Sequence, residues 1–306
     1  DELARLAADG GCDLVYERYS LFSTAMAQIA ECLSVPAILE VNAPLIQEQA
    51  EHRELHDAEG AQVALRTLLR CASRAVCVSV PVADWLRGQV LDGAAPDIAV
   101  EPNGVNTERI TPGRHTAENG TPVVVFVGTL KPWHGVETLL DAAALARTRW
   151  RLRIIGDGPL GAQLRENAAD RNLDVEFTGA VSPARVPGML RDCAVAAAPY
   201  PETQAAYGNY FSPLKIYEYG AAGLPVVASR IGQVPSIIGD GETGLLVAPS
   251  DARQLAAGID SLIGNPALGR RLGQAARARA VDSYSWDGVL DRTLAGVLAA
   301  AGAPTS

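Results

Sequence analysis

Lysine is nearly missing from this chain: of 26 basic side chains only Lys131 and Lys215 are lysines, and the rest are arginines. A compact ammonium on a flexible stem is rare enough here that each instance calls for a purpose. Cysteine is sparse and unpatterned. Cys12, Cys32, Cys71, Cys77 and Cys193 are odd in number and lack CxxC spacing, which argues against a disulfide framework and for buried thiols in a reducing compartment. The four histidines are scattered, so no zinc-type cluster is expected. No apolar run approaches the roughly 20 residues that cross a bilayer, and the start carries no signal-peptide pattern. A cytoplasmic protein is expected, with peripheral contact at the inner face of a membrane left open through a short amphipathic surface. Positive charge is in deficit as well. The net charge of -9 argues against a nucleic-acid partner held by broad phosphate neutralisation. Local donors can still hold a small phosphorylated ligand, because global charge is screened.

What is present is an alternating α/β pattern. With 306 residues, 48% of them hydrophobic and 20% charged, the chain can bury two ordinary domain cores. Strand-like runs occur at Asp13–Glu17, Ala37–Val41, Ala75–Ser79 and Ile98–Glu101, separated by enough chain for crossover helices, which favours a parallel sheet. A polar break from Pro112-Gly113 to Gly120-Thr121 marks the best domain boundary. Six further runs follow: Val123–Val127, Leu152–Ile155, Val175–Thr178, Ala194–Ala197, Pro225–Ala228 and Gly244–Val247. Together they make a complete doubly wound domain, whereas the first part reads as an incomplete lobe. Arg270, Arg271, Arg277 and Arg279 form a basic stripe in the helical tail, and without interleaved aromatics it reads as an ordinary solvated helix surface.

Two turns in the second domain carry chemistry. Gly128-Thr-Leu-Lys-Pro-Trp-His-Gly135 follows a buried-type strand and precedes a helix, so backbone donors and a positive helix end meet at the C-terminal edge of the sheet, where an anionic ligand fits. Lys131 can reach such a ligand, Trp133 can wall the site and His134 can add a donor; the plainer alternative is a connector with a packed tryptophan and a surface lysine. The second turn runs from Tyr207 to Gly223. There Ser212 reads as an N-cap, Pro213 as the first helical residue and Gly223 as the terminator. N–H groups from Phe211 through Leu214 to Lys215 then suit a phosphate, with Lys215 adding charge. Glu218 lies three residues beyond Lys215 and suits ribose hydroxyls, though it can instead form a surface pair with Lys215 worth only about 0.2 to 0.5 kcal/mol. The turn Gly156-Asp-Gly158 is weak on its own, since the full GxGxxG fingerprint is absent.

In order, Pro102-Asn-Gly-Val-Asn106, Gly128–Gly135, Ile155–Pro159, Phe177-Thr-Gly179, Ser212–Val227 and Gly241–Val247 resemble the retaining nucleotide-sugar glycosyltransferases of family 4. The resemblance implies the GT-B architecture, two Rossmann-like domains facing across a cleft. Domains are expected at 1–111 (partial, acceptor-side), 112–283 (nucleotide-sugar-binding) and 284–306 (a helix returning to the first domain). It also implies a nucleotide diphosphate sugar as donor substrate, a hydroxyl-bearing acceptor, no permanently bound cofactor and no metal requirement. Glu218 would bind the ribose, Lys131 the diphosphate with help from the Ser212–Lys215 entrance, and the loop from Gly179 through Val181 to Ser182 would face the base. No oligomeric state follows.

The departures are specific. The family's earlier glutamate, eight residues before Glu218, is Tyr210; its arginine after the loop glycine is Thr129; its lysine before the next glycine is His134; and its acceptor-side histidine corresponds to Asn42. The family's first strand and glycine-bearing loop are not found before Asp13, so the chain is expected to lack the early part of the first lobe. The expectation is a glycosyltransferase acting on a glycan, lipid-linked or small-molecule hydroxyl, with Lys131, Glu218 and Asn42 as the catalytic candidates. The competing readings are a donor-binding but inactive GT-B module and another GT-B enzyme such as a nucleotide-sugar epimerase or phosphorylase.

Overall fold

The computed structural model describes residues 2–90, 95–113, 120–202 and 209–297. Tyr207 and Gly208 of the second motif, residues 114–119 of the expected boundary and residues 298–306 lie outside them. The chain divides into two compact units, Asp1–Asn103 with Tyr210–Ser212 and Asp287–Ser306, and Gly104–Asn209 with Pro213–Trp286.

The first unit holds β1 (Val15–Arg18), β2 (Ala37–Val41), β3 (Arg74–Cys77) and β4 (Asp97–Val100), paired in that order and all parallel. Parallel strands need crossovers, and the helices Ala25–Leu33, Ala58–Cys71 and Val80–Arg87 provide them in sequence. Two start on side-chain caps. Asp57 accepts from the Gly60 N–H at 2.7 Å, and Ser79 from the Val82 N–H at 3.3 Å, each satisfying a helical donor that has no partner within its own helix. At the chain's end, Leu294 and Val297 pack with Ile38, Val76 and Leu14. Arg74 fastens that segment by donating to the carbonyls of Arg292 and Thr293, both at 3.1 Å.

The second unit holds β5 (Val123–Val127), β6 (Arg151–Ile155), β7 (Val175–Phe177), β8 (Val195–Ala198), β9 (Val226–Ser229) and β10 (Gly244–Val247), in the spatial order β10-β9-β8-β5-β6-β7. All its pairings are parallel. The apolar, β-branched run of β5 is buried on both faces, as a strand covered by helices on each side requires. Its core joins Val124, Phe126, Leu139, Leu140, Ile154, Ile259 and Leu262. Strand order reverses between β5 and β8, and in such sheets the carboxyl ends at the reversal form a ligand site. Both units are thus Rossmann-like, the pair of folds that makes the GT-B architecture. All ten strands lie within two residues of the runs legible in the sequence.

Glycines set the backbone spacing at that edge. Gly156 has φ of 137°, and a Cβ on it would lie 2.0 Å from the Gly128 carbonyl oxygen. A Cβ on Gly158 would lie 2.6 Å from the Leu130 nitrogen, so the Gly156-Asp-Gly158 turn serves close connection. Gly156→Ala is expected to lower stability by about 3 kcal/mol or more through backbone strain and displacement of the β5 loop. Urea unfolding measures this, and a loss below about 0.5 kcal/mol would show that the two loops are not pinned.

Candidate functional site

The loop that leaves β5 is stitched to its neighbours. Leu130 donates its N–H to the Asp157 carbonyl and accepts from Leu160, both at 3.0 Å. Gly135, at φ of 67°, lies so close to Pro199 that a Cβ would meet its carbonyl oxygen. Within this frame the His134 Nδ1–H donates to the Thr129 carbonyl, holding Thr129 and Gly128 in place. Lys131 lies over the exposed Trp133 ring, with Nζ 4.7 Å from its centroid.

The helix Leu214–Ala221 carries the second group of residues. It starts one residue later than the capping pattern suggests, with Pro213 as its N-cap, because the Ser212 hydroxyl accepts from the Asn103 N–H at 3.1 Å instead. Its end is a Schellman arrangement: Gly223 takes φ of 69°, and the Leu224 and Gly223 N–H groups return to the Tyr219 and Gly220 carbonyls. One face is turned inward, including the charged Lys215, only 7% exposed. Its Nζ lies 4.1 Å from the Phe126 ring centroid and 5.0 Å from that of Tyr200. Among the described residues it has no hydrogen-bond partner.

Glu218, one turn further along, forms an ion pair with Arg109 at 3.9 Å. Among the described residues it forms no salt bridge with Lys215, so the surface-pair reading of these two does not hold. Arg109 also donates to the Pro183 carbonyl at 2.9 Å, linking Glu218 to the loop that begins at Gly179 and contains Val181. Gly179 itself accepts from the Gly156 N–H at 3.0 Å. The second unit therefore gathers Gly128, Thr129, Lys131, His134, Gly179, Val181, Pro213, Leu214, Lys215 and Glu218 around the carboxyl ends of its strands.

Asn42, Tyr210, Phe211 and Ser212 belong to the first unit. Asn42, just past β2, donates to Glu40 at 2.7 Å, and its own Oδ1 is buried without a partner among the described residues. The Tyr210 hydroxyl is bonded to Glu48; burial, then Glu48 and Glu51, push it up to about 12. It remains a neutral phenol where the resemblance implies a carboxylate.

Residues 121–265 match the model of the glycosyl transferases group 1 family. The chain is 28% identical over 271 residues to a GDP-mannose-dependent alpha-(1-6)-phosphatidylinositol monomannoside mannosyltransferase of Mycolicibacterium smegmatis, covering 82% of this chain and 71% of the relative. It is 34% identical over 227 residues to a D-inositol 3-phosphate glycosyltransferase of Acidothermus cellulolyticus, covering 67% of this chain and 48% of the relative. Among solved structures, Anabaena HepE in complex with UDP superposes with a TM-score of 0.74 at 20% identity, over 98% of this chain and 81% of that one. The sucrose-phosphate synthase of Thermosynechococcus elongatus does so with a TM-score of 0.72 at 24% identity, over 97% and 77%. The chain is a GT-B glycosyltransferase related to the group 1 family.

Two residues of this glycosyltransferase escape a reading by motif. Arg109 lies just beyond Pro102–Asn106, and the only local signal is Asn106, whose Oδ1 accepts from the Arg109 N–H at 2.7 Å and turns the chain there. Arg277, expected on a solvated surface, instead donates to the carbonyls of Ala221 (2.8 Å), Ile110 (2.9 Å) and Thr107 (3.0 Å). It braces the Arg109 turn against the end of the Glu218 helix. Arg271 and Arg279 likewise reach the Gly241 and Ser236 carbonyls. Among the described residues no cluster of His, Cys, Asp or Glu is placed to hold a metal ion, and no helix is long and apolar enough to cross a membrane.

The electrostatics follow from burial. His134 is lowered to about 4 by burial and then by Lys215, against its bond to Thr129. At neutral pH it is an uncharged ring with Nδ1–H given away and Nε2 left as an acceptor. Glu218 is raised by burial, with Arg109 and Lys215 opposing. Lys215 is lowered from 10.5 to about 7 by burial, with Glu218 opposing. Between those two values the unfolded chain binds more protons than the folded one, so this lysine makes stability rise with pH from about 7 to 10.5 and fall in the reverse direction. Lys215→Met is expected to lose that slope and to unfold at a higher temperature near neutral pH, since a buried charge only partly offset by Glu218 is replaced by an apolar chain of similar length. Denaturation of both proteins at pH 7 and pH 9.5 checks it; identical pH slopes would remove Lys215 as the source.

Proposed function

We propose that this glycosyltransferase retains anomeric configuration, moving a hexose from a nucleotide diphosphate sugar to a hydroxyl of a glycan, lipid-linked or small-molecule acceptor. The observation that carries the reading is the Arg109–Glu218 pair beside Lys215, at the edge where the strand order of the second unit reverses. A half-buried carboxylate suits paired ribose hydroxyls, while a cation and a helix start suit a diphosphate. In the proposed donor site the loop from Gly179 through Val181 faces the base and Glu218 holds the ribose. Gly128, Thr129, Lys131 and the Pro213–Leu214–Lys215 helix start meet the phosphates. His134 positions the Thr129 carbonyl. Tyr210, Phe211 and Ser212 are assigned to the sugar end of the donor, and Asn42 to the acceptor hydroxyl through its unpartnered Oδ1.

In the proposed reaction the acceptor hydroxyl attacks the anomeric carbon from the leaving-group face, and the departing phosphate oxygen receives its proton. The protein then contributes placement and neutralisation of the charge that grows on the diphosphate. The mannosyl and inositol-phosphate chemistry in the relatives' names supports trying guanosine and uridine donors with polyol acceptors, and an acceptor presented at the inner face of a membrane is part of the proposal. A donor-binding module without turnover is the second reading. It is favoured by Tyr210, whose hydroxyl is committed to Glu48.

Calorimetry with UDP and GDP, followed by turnover of the matching sugars, decides between them. Binding of one nucleotide with transfer to an added acceptor is expected; binding of neither would sink the proposal, and binding without turnover over a broad acceptor panel would leave the inactive module. Glu218→Ala is expected to weaken donor binding by roughly 10- to 100-fold, as for loss of a charge-assisted hydrogen bond. Arg109→Ala is expected to weaken it less, because its pair with Glu218 is long and partly exposed.

A further inference from the structure

The identity of the cation that meets the diphosphate follows from geometry. Lys131 is the lysine within the β5 loop, but it is only partly buried and its ammonium rests over the ring of the exposed Trp133, where water can screen it. His134 occupies the position of the family's loop lysine, and it is tied by Nδ1 to the Thr129 carbonyl. Lys215 is differently placed. Its ammonium is enclosed between Phe126 of β5 and Tyr200 just past β8, the two strands between which the sheet order reverses. Nothing among the described residues accepts its protons. A buried amine with three donors and no acceptor is costly unless a ligand supplies the acceptor.

The backbone beside it carries no side chain. Gly128, at φ of 149°, has the Lys215 Nζ 3.1 Å from the point where a Cβ would stand. Any side chain there would press on the ammonium and adopt a rarely accessible backbone conformation. Glycine keeps side-chain atoms from standing over the ammonium at the end of β5, next to the loop that the proposed function assigns to phosphate.

We propose that Lys215, approached past the bare backbone of Gly128, is the principal cation for the donor diphosphate, and that Lys131 is secondary. The inference rests on the donor-site reading above and deepens it. The ionisable groups acting on Lys215 are Glu218 from its own helix and His134 from the β5 loop, with Tyr200 the further polar neighbour. In the free protein burial leaves the amine largely uncharged above pH 7. An arriving diphosphate restores the charge by drawing a proton from solvent, because two phosphates beside the amine favour its protonated form. Donor binding is therefore coupled to proton uptake, and donor affinity falls as pH rises above about 7.

The test is calorimetry with UDP and GDP at pH 8 in two buffers of different ionisation enthalpy. Wild-type protein is expected to take up close to one proton per nucleotide. Lys215→Met is expected to bind roughly 10- to 100-fold more weakly with that uptake abolished, while its unfolding temperature is equal or higher. Lys131→Ala is expected to lose less than about fivefold, as for a partly exposed charge. Wild-type binding without proton uptake at pH 8 overturns the proposal with no variant needed, and so does a folded Lys215→Met that binds as well as wild type. Either result leaves the donor-site reading standing, whereas failure of wild type to bind either nucleotide removes both.

Discussion

The site depends on one hydrogen bond, from the Val127 N–H at the end of β5 to the Tyr219 hydroxyl at 2.8 Å. It fixes the helix Leu214–Ala221 against the strand from which the Gly128 loop departs. Tyr219 follows Glu218 directly and lies one turn beyond Lys215, so holding its ring sets the rotation and height of both. A shift of one residue along the helix would turn Lys215 by about 100° away from Phe126 and Tyr200. Tyr219 is fully buried and Val127 partly so, and an unsatisfied Val127 N–H there would carry a desolvation cost. That penalty makes the register strongly specified.

Arginine and lysine divide the remaining work according to their chemistry. Arg277 spans three carbonyls and Arg109 joins Glu218 to the Pro183 carbonyl; a planar fork with five donors suits such bridging between segments. Among the described residues Lys215 makes no such bridge. Its single nitrogen lies between two rings and a glycine, and in the proposal its charge responds to the arriving diphosphate. A guanidinium would stay charged in that space, whereas an amine can adjust its protonation. The near-absence of lysine from the chain is thus compatible with arginines holding segments together and the few amines serving the edge of the sheet.

The fold was legible because its signals are local. Each strand is a short branched run bounded by turn residues, so all ten could be placed from periodicity and length alone. The helix end at Gly223 was legible for the same reason. The site was legible only in part. Motifs gathered Gly128, Lys131, Lys215 and Glu218, but they are silent on which way a side chain faces, and Lys215 read as a helix-entrance charge although it is buried. Ser212 read as a cap because its type and position fit one, while its hydroxyl is taken by Asn103, more than a hundred residues earlier. Arg109 and Arg277 were invisible as a pair, since their meeting depends on how the helix Pro266–Tyr284 packs on the helix Leu214–Ala221, with Gly220 close to Ala276 and Gly273 close to Gly223.

The same packing explains why a protein keeps a charge where it destabilises the fold. Lys215 has no acceptor within reach among the described residues, so its protonated form opposes folding, and a methionine there would favour it. Retention of the amine makes sense if the cost is recovered in the bound state, when a dianionic ligand supplies the acceptors the fold withholds. In a low-dielectric setting such a contact is worth more than one made by a partly exposed side chain like Lys131. It also needs no rearrangement as negative charge grows on the leaving group, because the rings of Phe126 and Tyr200 already hold the amine in place. Instability of the empty site and strength of the filled one then have a single origin, the exclusion of water from Lys215.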